Sequence, residues 1–174
     1  MMGRALLIIG ALATLGFLAS GVLGYLLKAP AGPGLPRHVL VGLAACLAQL
    51  FSHCWILVYL IFTGRAIRET VAENGLDARY ADEPGRFLRS TVPWLLAAVL
   101  LGVGTFLVGG ASATGAIRPW IHHAAFYVLL AVQGVALWQE ARVLRANQGL
   151  IDEIDGRLAP AGLPPSGHTQ EVAG

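Results

Sequence analysis

Five histidines stand in a chain of 174 residues with only 13% charged side chains, and four of them, His38, His53, His122 and His123, lie in or beside apolar stretches. Imidazole can bind a metal through one ring nitrogen, or carry a proton near neutral pH. His53 sits within 39–64, 26 residues without a charge, together with Gln49 and Ser52. Gln49 and His53 are four apart and share a helix face. An ionisable group at membrane depth is costly unless it faces protein, water or a cofactor.

Two imidazoles from facing helices are what a b-type haem needs. Counted from Arg65, His53 stands about 18 Å up its helix; counted from Glu140, His122 and His123 stand about 26 Å up theirs. The difference, about 8 Å, is one that helix tilt absorbs. The expected axial pair is therefore His53 with His122 or His123. Gln49 or Ser52 would fix the tautomer of a ligand histidine. Arg37 and Arg118, near the outer ends, would pair with haem propionates. Gly42, Ala45, Gly102 and Ala125 would leave room for the macrocycle. His38, at the outer mouth of the second span, reads as an interfacial residue.

Two other readings compete. His53 can bond across helices to a polar group such as Gln133, which shares a face with His122. His38, His122 and His123 can instead gather around zinc or copper at the surface. Against that, every Asp and Glu falls on the opposite, inner side.

The elements that must hold these residues follow from composition. With 56% hydrophobic residues and about half the usual charged share, the chain belongs to the membrane class. Four uncharged stretches give spans at about 5–27, 39–64, 92–109 and 119–138, each long enough for a bilayer core of about 30 Å. The first begins like a secretory signal, but its apolar run continues to Leu27, so an uncleaved helix is expected. Residues 28–38, rich in Pro and Gly, form a turn. The second helix should run on to a cap at Gly75. Residues 76–89 form a charged connection, and Ser90 or Thr91 caps the third helix, with Pro93 in its first turn. The fourth helix should end near Gly149. Trp94, Trp120 and Trp138 read as interface anchors, and Trp55 as packed inside. No internal repeat stands out.

The expected fold is an all-α integral membrane protein, a four-transmembrane-helix bundle over 1–158 with a disordered tail at 159–174. Nine arginines on one side against Lys28, Arg37 and Arg118 on the other place both termini in the cytoplasm, as in a bacterial cytoplasmic membrane. The spans hold no acidic residue, against a carboxylate-relay transporter. There is no phosphate-binding loop and no Ser-His-Asp set. The net charge of +2 and the lack of a basic run speak against nucleic acid. Cys46 and Cys54 are eight apart, about 12 Å along one helix, too far to bridge.

In architecture and histidine placement the chain resembles the small haem-carrying anchor subunits of quinone-linked respiratory complexes. The resemblance implies haem b, passage of single electrons, and a quinone as a further ligand. The alternative is a cofactor-free anchoring subunit, suggested by the strip of small residues Gly16, Ser20 and Gly24, which lets another helix approach. Either way the expected partners are the lipid bilayer and other membrane subunits or a second copy.

Overall fold

The computed structural model describes residues 2–27 and 34–159. Lys28, the first part of the expected turn at 28–38, His168 and almost all of the expected tail lie outside the described residues. Within them are four helices, α1 Met2–Tyr25, α2 Leu35–Glu73, α3 Arg79–Ala113 and α4 Pro119–Leu158. Each is long and apolar enough to cross a membrane.

Chain chemistry sets the helix ends. Pro36 and Pro119 stand in first turns, where a missing amide hydrogen costs nothing. Gly75 (φ 63°) and Gly115 (φ 76°) follow α2 and α3 in the left-handed conformation. The amide of Leu76 then donates to the Val71 carbonyl at 3.1 Å, and that of Ala116 to Ala111 at 2.9 Å. Both closures are of the six-to-one kind that satisfies a helix's last carbonyls.

Two boundaries differ from expectation. Helix α3 begins at Arg79, not near Ser90, and contains Pro84 and Pro93. Ser90 Oγ donates to the Phe87 carbonyl, as an interior helical serine does. The cap position is Ala78, which has no side-chain cap bond, and the Asp77 carboxylate before it accepts the Arg79 amide at 2.9 Å. Helix α4 runs through Gly149 to Leu158. Leu150 and Ile154 join Ile67, Val71 and Tyr80 in a buried cluster, and this packing outweighs the roughly 1 kcal/mol that an interior glycine costs. Trp55 is 45% exposed and stacks on Phe51, so it faces outward rather than into the bundle.

The helices pack in a ring, α1 on α2, α2 on α3, α3 on α4 and α4 on α1. Helices α2 and α4 meet on one diagonal, whereas α1 and α3 make no close contact among the described residues. Helices α2 and α4 run parallel and in register. Gln49 bonds to Gln133 at 2.7 Å and Thr63 to Asn147 at 3.2 Å; His38 faces His122 with ring centres 6.2 Å apart. Each pair is separated by 84 positions. The α1–α2 and α3–α4 hairpins are thus like-oriented halves about a two-fold axis along the bundle.

The strip of small residues on α1 is used within the chain. A side-chain carbon added at Gly16 would meet Ala45, and one at Gly24 would meet His38, each at 3.0 Å; Ser20 Oγ packs over Gly42. These close approaches bind α1 to α2 rather than presenting a face to another protein.

Candidate functional site

A cavity of about 350 Å³ opens at the outer end of the bundle, within the range of cofactor and small-molecule sites. His38 from α2 and His122 from α4 both line it, with ring centres 6.2 Å apart. Their ring planes lie at 81° to one another.

Each ring is seated on the neighbouring helix of its own hairpin. His38 Nδ1 donates to the Ser20 carbonyl at 2.8 Å, and Ser20 Oγ donates to the His38 carbonyl at 3.1 Å. The first bond fixes the proton on Nδ1 and leaves Nε2 as the free lone pair, the tautomer that metal-binding histidines usually adopt. The ring lies over Gly24. His122 lies over Gly109, where an added carbon would come within 2.9 Å of its Cε1, and beside the Thr105 backbone. Its Nδ1 is buried without a hydrogen bond, as is Thr105 Oγ1.

The spacing of the two rings can be compared with that of two imidazoles on one metal. A metal–imidazole bond is about 2.0 Å and the ring centre lies about 1.1 Å behind the nitrogen, so two rings on opposite faces of one metal have centres about 6 Å apart. The observed 6.2 Å matches. A macrocycle held between α2 and α4 must extend along the other diagonal, toward α1 and α3. Those helices do not touch, and they line the cavity with Gly21, Gly24, Gly102, Gly109 and Gly110.

The structure does not bring His53 to His122 or His123. His53 is 1% exposed, and both ring nitrogens are engaged. Nδ1 lies 2.5 Å from Glu140 Oε1, and Nε2 donates to Gln133 Oε1 at 3.1 Å, the polar partner that the competing reading named. His53 is 15 positions beyond His38 on α2, or about 22 Å along the helix.

The expected depth failed because Arg65 is a poor ruler. Helix α2 stays uncharged past the level where its neighbours become charged, since Ile56 and Leu60 are covered by Val143 and Leu144 of the α4 extension. At the level of His53, Gln139 donates to the Ser90 carbonyl, next to exposed Arg89 on α3 and three positions before Arg142 on α4. Glu140, taken as a boundary marker, is itself fully buried.

The supporting residues are also reassigned. Gln49 donates to Gln133 and to the Ala98 carbonyl at 3.0 Å, and Ser52 donates to the Leu6 carbonyl at 2.9 Å; neither bonds a histidine. Gly42 and Gly102 line the cavity, whereas Ala45 and Ala125 do not. Arg37 and Arg118 are exposed, near the outer ends of α2 and α4 and outside the cavity lining. His123 points to the rim, stacked on Tyr25 with centres 5.1 Å apart, and Tyr25 and Tyr127 share a hydroxyl–hydroxyl bond. Among the described residues no group of three or more His, Cys, Asp or Glu side chains converges as a metal site, so the three-histidine arrangement is not formed.

Sequence reasoning read His38 as an interfacial residue or part of a three-histidine surface site, and missed Ser20, Thr105, Gly109 and Glu140 as neighbours of the rings. A signal for His38 was present: His38 and Gln49 have the same spacing as His122 and Gln133. Comparison with known proteins finds no matching family, no similar curated protein and no similar solved structure.

Proposed function

We propose that this chain is an integral membrane haem-b protein that carries single electrons, with His38 and His122 as axial ligands. The carrying observation is the pair of imidazoles 6.2 Å apart across a glycine-lined cavity. Bound there, the haem would exchange one electron at a time with its ligands unchanged. The chain's own part is to hold two neutral imidazoles in fixed orientation and to exclude water with Phe17, Phe106 and Phe126.

The four helices cross the bilayer with the arginine-rich end and both termini on the cytoplasmic side of a bacterial membrane. The haem site then lies near the outer surface. A quinone is the proposed exchange partner: Tyr25, Tyr127 and His123 offer hydroxyl and imidazole groups at the rim. The scaffold alternative loses its main support, because α2 of the same chain occupies the Gly16–Ser20–Gly24 strip.

The test is a pyridine-haemochrome assay with a reduced-minus-oxidised spectrum on detergent-purified protein. Wild type and His123→Ala should show a b-type α-band, and His38→Ala and His122→Ala should lose it. A colourless wild type from haem-replete cells, or a band that survives both single substitutions, overturns the proposal.

A further inference from the structure

The two halves of the bundle build the same half-site twice. In the first, Ser20 and Gly24 sit one helical turn apart on α1, and His38 rests on both. In the second, Thr105 and Gly109 sit one turn apart on α3, and His122 rests against them. Histidine matches histidine at the 84-position spacing that pairs Gln49 with Gln133. Serine matches threonine and glycine matches glycine at 85, because the second connection is one residue shorter.

One difference breaks the match. The first half-site is fully bonded, through the Ser20 carbonyl and hydroxyl. In the second, His122 Nδ1 and Thr105 Oγ1 are both buried and both without a partner. Thr105 is only 6% exposed. A buried donor or acceptor left unmade costs free energy that a bond would return. The two residues meet through the Thr105 backbone, and their counterparts in the other half are bonded, which leaves the Thr105 hydroxyl free to close a contact when the ring is drawn to a metal.

We propose that the Thr105 hydroxyl is the positioning group of His122, holding Nδ1 when Nε2 takes the iron, as the Ser20 hydroxyl lies against His38 Nδ1 beside the Ser20 carbonyl. This rests on the haem reading above. Thr105 touches neither iron nor macrocycle in this role. It acts through the imidazole, setting its orientation and basicity.

The test compares Thr105→Val, which keeps the shape and removes the hydroxyl, with Thr105→Ser, which restores it. In the haem-free protein Thr105→Val should leave thermal stability unchanged or raised, because the hydroxyl it removes has no partner there. With haem added, the same variant should bind about 10-fold more weakly or worse, with a shifted midpoint potential and altered low-spin ferric resonance. Thr105→Ser should recover all three. A Thr105→Val protein with wild-type haem affinity, potential and resonance overturns the proposal and leaves the haem reading intact. So does a variant destabilised equally with and without haem, since that is the mark of ordinary packing. A wild type that binds no haem sinks the underlying reading, and this proposal with it.

Discussion

His53 and Glu140 meet at 2.5 Å between α2 and α4, 1% and 0% exposed, with Glu140 Oε2 left without a partner. Gln133 Oε1 accepts from His53 Nε2 and from Gln49 Nε2, so the Nε2 proton is fixed. A single proton is then shared between Nδ1 and the carboxylate, and the pair carries no net charge. Neutrality is what allows it to be buried.

Glu140→Leu should therefore be strongly destabilising, by about 3–5 kcal/mol, because it strands a buried imidazole. Glu140→Gln should cost less, and pairing His53→Leu with Glu140→Leu should recover much of the loss. Unfolding of the four proteins in mixed micelles, analysed as a double-mutant cycle, checks this. Additive losses would show that the two side chains do not interact.

Gly109 and Gly104 provide a matched contrast on one helix. A side chain at Gly109 would collide with the His122 ring, whereas nothing lies within 4 Å of one at Gly104. Gly109→Val should abolish haem binding while circular dichroism shows helix content preserved. Gly104→Ala should bind normally and gain up to about 1 kcal/mol in stability, the usual helical advantage of alanine over glycine.

The inner end should respond to acid. The Tyr80 hydroxyl donates to Glu153 at 2.5 Å, and this bond, with Arg157 and Arg79 nearby, holds the Glu153 carboxyl below its ordinary range. A carboxylate depressed in the folded state adds stability above its unfolded pKa, and that contribution fades as pH falls through the folded value. Hydrogen-exchange protection factors over residues 79–89, corrected for the intrinsic pH dependence, should fall on acidification below about pH 4.3, the unperturbed glutamate value. Glu153→Gln should flatten that dependence; an unchanged profile would mean that the contact does not hold the start of α3.

Much of the architecture was legible from hydropathy and turn chemistry. The four apolar stretches, the prolines in first turns and Gly75 after α2 act locally, so sequence spacing reveals them. The helical stretch 79–89 and the run of α4 through Gly149 depend on Tyr80, Leu150 and Ile154 finding partners far away in the chain. At the candidate site the expected partner of His122 or His123 was His53, and the structure instead sets His38 against His122. Depth was measured from charges, and Arg65 lies well past the level at which α3 and α4 become charged. The repeated His-to-Gln spacing is independent of any depth scale and points directly to His38.

The shared direction of α2 and α4 bears on how such a chain enters a bilayer. In the proposed orientation each hairpin goes out and returns on its own. Arg65 and Arg68 follow the first return, and Arg142 and Arg145 follow the second. Insertion can therefore proceed as two successive, self-sufficient events, each arrested by its own arginines. His38 and His122 come together only when the later pair docks on the earlier one, so the cavity between them is built only once the second half has been made.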